Sequence, residues 1–147
     1  MHYLADTNVV LRFANRQDPL HPRMRTAIRR LRRNTDEVCI VPQNCIEFWN
    51  VATRPVIRNG YGLSVIETDK ALRLVERVFT LLPEHAAVYA EWRKLVQQFH
   101  VAGVQVHDAR LVAAMRVYNI THILTVNSTD FARYAGLGIV PVDPAHV

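Results

Sequence analysis

Apolar positions fall into two kinds of segment that alternate along the chain: short continuous runs and longer stretches at helical spacing. Tyr3-Leu4-Ala5 predicts a strand ending at Asp6, and Thr7 to Ala14 a short helix. After the loop signals Asp18-Pro19 and His21-Pro22, Arg23 to Arg33 places Met24, Ala27, Ile28 and Leu31 on one face and arginines on the other. Val38-Cys39-Ile40-Val41 reads as a buried parallel strand, and Pro42 is suited to open a helix reaching about Arg54. On that helix Gln43, Glu47, Asn50 and Arg54 form one polar stripe centred on Glu47. Pro55 to Leu63, with Asn59-Gly60 and Gly62, predicts a loop, either a lid or a connector. Ser64 to Glu67 forms a capping-box pattern ahead of a helix to about Val78, and Phe79 to Leu82 is a third strand. Glu84 to Phe99 predicts a helix, Asp108 to Tyr118 a nearly all-apolar interior helix, and His122 to Val126 a fourth strand. Asn127 to Asp130 is a polar turn, Phe131 to Tyr134 a helical turn, and Ile139 to Val142 a last, edge-like strand.

Strands that alternate with helices imply crossover connections and a mainly parallel central sheet flanked by helices on both faces, a three-layer α/β/α architecture. The chain of 147 residues, half of them apolar, has room for one such domain over residues 1–147. No run approaches the ~20 apolar residues of a spanning helix. Met1 to Asp6 lacks the basic and long apolar regions of a secretory signal, so no membrane association and a cytoplasmic location are expected. Cys39 and Cys45 match no zinc spacing and read as buried free thiols.

Charge sharpens this picture. The net charge of +5 is concentrated: Arg12, Arg16, Arg23, Arg25, Arg29, Arg30, Arg32 and Arg33 fall in one stretch opposed only by Asp18, a surface that would attract polyanions. A solvated helix face explains the same run without any ligand. Acids are scarce, with only Asp6 and Asp18 before Asp36, and only Asp108, Asp130 and Asp143 after Glu91. In open parallel sheets ligands bind beyond the carboxyl ends of the strands. Asp6 follows the first strand, Glu47 lies about a turn into the helix after the second, Asp130 sits in the turn after the fourth, and Asp108 opens the interior helix. Taken singly, Asp6, Asp108 and Asp130 could each cap a helix, and Glu47 could face solvent. One site would account for all four positions together.

Two carboxylates about 5 Å apart repel by roughly 3 kcal/mol at an effective dielectric near 20, so converging acids must protonate or hold cations. All-oxygen ligands favour Mg²⁺ or Mn²⁺ over zinc. Such ions cleave phosphodiesters by activating water and neutralising the phosphate oxygens, and an adjoining basic surface would hold the substrate backbone.

Asp6-Thr7-Asn8, Ile46-Glu47-Phe48-Trp49-Asn50, His107-Asp108-Ala109-Arg110-Leu111 and Thr125-Val126-Asn127-Ser128-Thr129-Asp130-Phe131, in this order, resemble the motifs of a PIN domain. The set is most similar to the VapC-type toxin ribonucleases of bacterial toxin–antitoxin pairs. The resemblance implies a PIN-like fold, Mg²⁺ or Mn²⁺ dependence, endonucleolytic cutting of RNA, homodimerisation and a small antitoxin partner. It assigns Asp6, Glu47 and Asp108 to the family's principal acidic ligands and Asp130 to the acid of its last motif. Asn8 would then orient Asp6 or a metal-held water, and Thr125 would do similar work behind the acids. Asn127 stands where many relatives carry an acid, which implies weaker holding of a second metal. His107 is left outside the catalytic set. Arg29, Arg30, Arg32 and Arg33 are candidate RNA contacts. Two rivals are a phosphatase with Asp6 as nucleophile, disfavoured because Asn8 replaces the second aspartate it needs, and a non-catalytic RNA- or partner-binding module of the same fold.

Overall fold

β1 (His2–Ala5) occupies the centre of a five-stranded sheet, pairing with β2 (Glu37–Ile40) on one side and β4 (His122–Leu124) on the other. The two-residue β3 (Thr80–Leu81) edges β2 and β5 (Val140–Val142) edges β4, giving the order β3-β2-β1-β4-β5 with every pair parallel. These features come from a computed structural model that describes residues 1–147. Pro141 stands in the edge strand β5, where a missing N–H costs no inner ladder bond.

Side chains alternate across the strands as a sheet covered on both faces requires. Leu4, Cys39 and Ile123 point into a core completed by Leu95, Leu111 and Met115 from α5 (Val88–Gln98) and α6 (Gln105–Val117). Ala5, Val38, Ile40 and Leu124 point to the opposite core. That core is closed by α1 (Thr7–Ala14), α2 (His21–Arg33), α3 (Pro42–Thr53) and α4 (Val65–Val78), through Val9, Met24, Phe48 and Val75. The three-layer reading of the hydrophobic pattern therefore holds, and the sheet is wholly parallel.

α2 forms because Met24, Ala27, Ile28 and Leu31 make one buried stripe and Pro22 sits in the first turn, where its missing N–H is harmless. α6 buries Ala109 and all of Leu111 to Met115, since sheet, α5 and the 3₁₀ stretch Ser128–Leu137 surround it. Ser64 caps α4 in the expected box, accepting from Glu67 N at 3.1 Å while Glu67 accepts from Ser64 N at 3.2 Å.

Two expectations need correction, and one that was open is decided. The helix predicted from Glu84 starts at Val88, because His85 turns the chain with its carbonyl and its ring nitrogen, leaving Glu84 free to pair with Arg110. α6 starts at Gln105 after the left-handed turn at Gly103, so Asp108 stands inside its first turn rather than opening it. The Pro55 to Leu63 segment is a pinned connector: Tyr61 N and Leu63 N donate to Val51 O and Ala52 O, and Gly62 N donates to Arg54 O.

Candidate active site

The order of the strands reverses direction at β1, since β2 lies on one side of it and β4 on the other. A crevice at such a switch point is where parallel sheets place their ligands. Asp6 and Thr125, the residues just beyond the ends of β1 and β4, meet there. Asp6 N extends the ladder to Leu124 O at 2.9 Å, and Thr125 Oγ1 donates to Asp6 Oδ2 at 2.8 Å. Asn8 Nδ2 donates to the same oxygen at 2.7 Å. Asp6 stands at the cap position of α1, yet its side chain makes no capping hydrogen bond. The innocent reading of Asp6 as a helix cap therefore fails.

Glu47 is not part of a solvated stripe. Its Oε1 accepts from Thr7 Oγ1 at 3.0 Å and from Gln43 Nε2 at 3.3 Å. Both acids are thus tethered through one carboxylate oxygen, and the other oxygen receives no side-chain donor. Gln43 is buried and reaches further: Nε2 also donates to His107 O at 2.7 Å, while Oε1 accepts from Arg110 Nη1 at 3.2 Å. Arg110 Nη2 continues to Glu84 Oε1 at 2.9 Å. This chain of side chains clamps the start of α3 to the start of α6, the two elements that carry Glu47 and Asp108. Behind it, the fully buried Asn44 accepts from Val41 N at 2.8 Å and donates to Ala5 O at 3.0 Å and Thr7 Oγ1 at 3.1 Å. Asn44 thereby joins the end of β1 to the start of α3.

Asp108 makes no side-chain hydrogen bond. Burial, then the charges of Asp6, Asp130 and Glu47, push its carboxyl up to about 7, against a smaller opposing pull from Arg133. Burial also raises Asp6, with the charge of Glu47 adding to it and the hydrogen bonds from Thr125, the Thr7 backbone and Asn8 opposing it. The fold therefore brings Asp6, Glu47, Asp108 and Asp130 into one electrostatic neighbourhood. Asp130 is exposed, on the first turn of the 3₁₀ stretch. No three of these acids place oxygens within 4.8 Å of one another, so they stand apart and do not form a closed ligand set. Asn127 is exposed, and its backbone N–H donates to Thr125 Oγ1 at 3.0 Å. His107 is exposed and contributes only its carbonyl.

Two sets of arginines bear on this reading. Arg110 and Arg133 border the acids, and Arg133 donates to Gln105 Oε1 at 2.7 Å. Arg29, Arg32 and Arg33 instead line a separate cleft with Arg25, Phe13 and Val78, and Arg30 donates to Val147 O. α2 runs back to the start of β2, so its last turn lies at the sheet end opposite Asp6. Sequence reading missed Thr7, Gln43, Asn44, Arg110 and Arg133 as working parts of this region. Gln43 carried a signal as a member of the Glu47 stripe, and Asn44 as an amide off that stripe in the first turn of the same helix.

A wholly parallel α/β sheet with an acidic crevice at its switch point is the class of protein these observations define. The sequence profile of the PIN domain matches residues 3–137, and the chain belongs to this family. Among solved structures, a chain of VapBC2 from Rickettsia felis bound to a promoter DNA fragment matches with a TM-score of 0.71 at 12% identity, over 97% of this chain and 98% of that one. VapBC-1 from nontypeable Haemophilus influenzae matches at 0.68 with 16% identity, over 98% of each chain. Mycobacterium tuberculosis VapC20, a toxin that cleaves the sarcin–ricin loop, matches at 0.62 with 19% identity, over 95% of this chain and 98% of that one. At these identities the likeness is one of fold. No curated protein matches the chain.

Proposed function

We propose that this protein is a Mg²⁺- or Mn²⁺-dependent endoribonuclease, the toxin of a toxin–antitoxin pair, with Asp6, Glu47, Asp108 and Asp130 as its metal-holding acids. The observation that carries the reading is the position of Asp108, half-buried beside three other acids and without a side-chain hydrogen-bond donor of its own. Such a group needs a proton or a cation. The donor set fits a hard cation: every candidate ligand is oxygen, and Asp6 and Glu47 each keep one oxygen clear of side-chain donors. Asn8 Oδ1 is buried without a partner, an acceptor left for what the site binds. The open spacing of the acids suits an ion that retains part of its hydration.

When bound, the cation would supply Lewis-acid activation of water and neutralisation of the phosphodiester. The protein's own groups do the positioning. Thr125 and Asn8 hold Asp6, while Thr7 and Gln43 hold Glu47. Arg133, beside the acids, would receive a backbone phosphate of the substrate, while Arg110 is engaged by Gln43 and Glu84; Arg29, Arg30, Arg32 and Arg33 would offer a second contact at the far end of the sheet. A small antitoxin is part of the proposal, supported by the toxin–antitoxin complex from Klebsiella pneumoniae among the fold neighbours, and a homodimer is carried over from the family resemblance.

Purified protein should cut RNA with Mg²⁺ or Mn²⁺ and not in EDTA. Asp6→Asn and Asp108→Asn should each abolish cutting with an unchanged circular-dichroism spectrum. Cleavage that persists in EDTA or in both variants overturns the proposal. Salt-dependent RNA binding without any cleavage in Mn²⁺ would make the chain a binding module of the same fold.

A further inference from the structure

Away from the acids, at the other end of the sheet, three side chains of different chemistry point to one place. β1 and β2 pair with His2 opposite Glu37 and Leu4 opposite Cys39. Glu37 and Cys39 are two apart and share a face, and His2 stands beside Glu37 on it. His2 Nδ1 lies 3.0 Å from Glu37 Oε2 and 3.9 Å from Cys39 Sγ. One nitrogen, one oxygen and one sulfur thus sit within 4.8 Å of one another.

We propose that His2, Glu37 and Cys39 form a binding site for a borderline-soft divalent cation of the zinc class, distinct from the carboxylate ring. Tetrahedral zinc takes sulfur at about 2.3 Å and nitrogen or oxygen at about 2.0–2.2 Å, so ligand atoms spaced as these are need only small movements to share one ion. The two ligands that must move are those able to: the side chains of His2 and Glu37 are 60% and 44% exposed, while Cys39 is fixed in the core. Thr80 Oγ1 donates to Glu37 Oε1 at 2.6 Å, which holds the carboxylate and leaves Oε2 toward the histidine. That is the outer support a metal-binding carboxylate ordinarily has. Three protein ligands leave a fourth position for water.

Binding replaces the S–H bond of Cys39 with a sulfur–metal bond and releases that proton to solvent. Burial and the Glu37 charge push the free thiol up to about 11, so without a cation Cys39 is a protonated, inert core residue. Thiolate is what separates this site from the acid ring, since Mg²⁺ and Mn²⁺ prefer oxygen. A bound ion would join the first residue of β1 to β2 and brace the strand that leads to Asp6. None of this depends on the nuclease reading.

Cobalt(II) is the probe, because sulfur-to-cobalt charge transfer absorbs in the near ultraviolet and carboxylates cannot produce it. The full chain, titrated with Co²⁺ in excess Mg²⁺, should develop that band with one equivalent and lose it on adding Zn²⁺. Cys45→Ser should behave as wild type, and Cys39→Ser should show no band. His2→Ala and Glu37→Gln change partly exposed side chains and should weaken Co²⁺ binding by about tenfold or more. Absence of the band in wild type, or a band that follows Cys45 or survives in Cys39→Ser, overturns the site. So does unchanged affinity in both His2→Ala and Glu37→Gln.

Discussion

Asp108 shows how one side chain reports on its surroundings. In the folded, metal-free protein its carboxyl holds a proton up to about 7, whereas in the unfolded chain it loses it in the ordinary aspartate range. Between roughly pH 4 and pH 7 the folded state therefore binds more protons, and folding stability falls as pH rises through that window. Above it the loss is complete and constant. In EDTA, the melting temperature of wild type relative to Asp108→Asn should fall from about pH 5 to about pH 7.5, and Mn²⁺ should restore it at the higher pH. A flat difference across this range would mean that Asp108 is not crowded by charge. Gln43 is the second informative residue, because it touches Glu47, His107 and Arg110 at once. Gln43→Ala should weaken Mn²⁺ binding by about 10–100-fold in calorimetry with the fold retained, as expected when the partner behind a ligand is removed. Gln43 was legible as polar on a helical stripe; that it faces inward was not, since periodicity defines a face and not what covers it.

At the scale of elements, the joints matter more than the elements. Asn44 supplies the hydrogen bonds where β1 meets α3, and Asn44→Ala leaves Val41 N and Ala5 O without their buried partner. A loss of about 2 kcal/mol or more is expected in denaturant unfolding, more than for an exposed substitution such as Asn50→Ala. The Pro55 to Leu63 connector is equally constrained. A Cβ on Gly60 would lie 1.9 Å from Arg54 O, so Gly60→Ala must displace backbone and should raise proteolysis of this segment, whereas Gly136→Ala, in open space, should not. Its Gly-rich composition suggested a lid as readily as a connector, because composition reports backbone freedom and cannot report the bonds to α3 that remove it. The strands, the basic helix and the capped α4 were readable because each follows from local periodicity and local hydrogen bonding. The starts of α5 and α6 were not, since His85 and Gly103 set them through turn geometry.

Of the molecule's basic residues, two sets bear on a polyanionic substrate: Arg110 and Arg133 toward the acids, and the α2 arginines at the far end of the sheet. Under the proposed RNA reading the groups should differ in their effects. Replacing Arg29, Arg30, Arg32 and Arg33 together by Gln should lower the slope of log binding constant against log salt by about 0.7–0.9 for each phosphate no longer neutralised, with cleavage of bound RNA retained. Arg133→Gln should reduce cleavage at saturating RNA. If the α2 variant leaves the salt slope unchanged, that helix is a solvated face or a protein-binding one. No helix is long and apolar enough to cross a membrane.

By itself the sequence determined the three-layer parallel architecture, because buried strands and amphipathic helices write their periods directly into the order of residues. It also marked Asp6, Asp108 and Asp130, since acids are scarce before Asp36 and after Glu91, and Glu47 as the centre of a polar helical stripe. Only the tertiary structure decided which side chains serve them. The pairing of β1 with β4 brings Thr125 to Asp6, and the meeting of α3 with α6 brings Gln43 between Glu47 and His107. The same is true of His2, Glu37 and Cys39, which are far apart in the chain and become neighbours through strand register. Contacts across such distances are set by packing, which one-dimensional spacing does not encode.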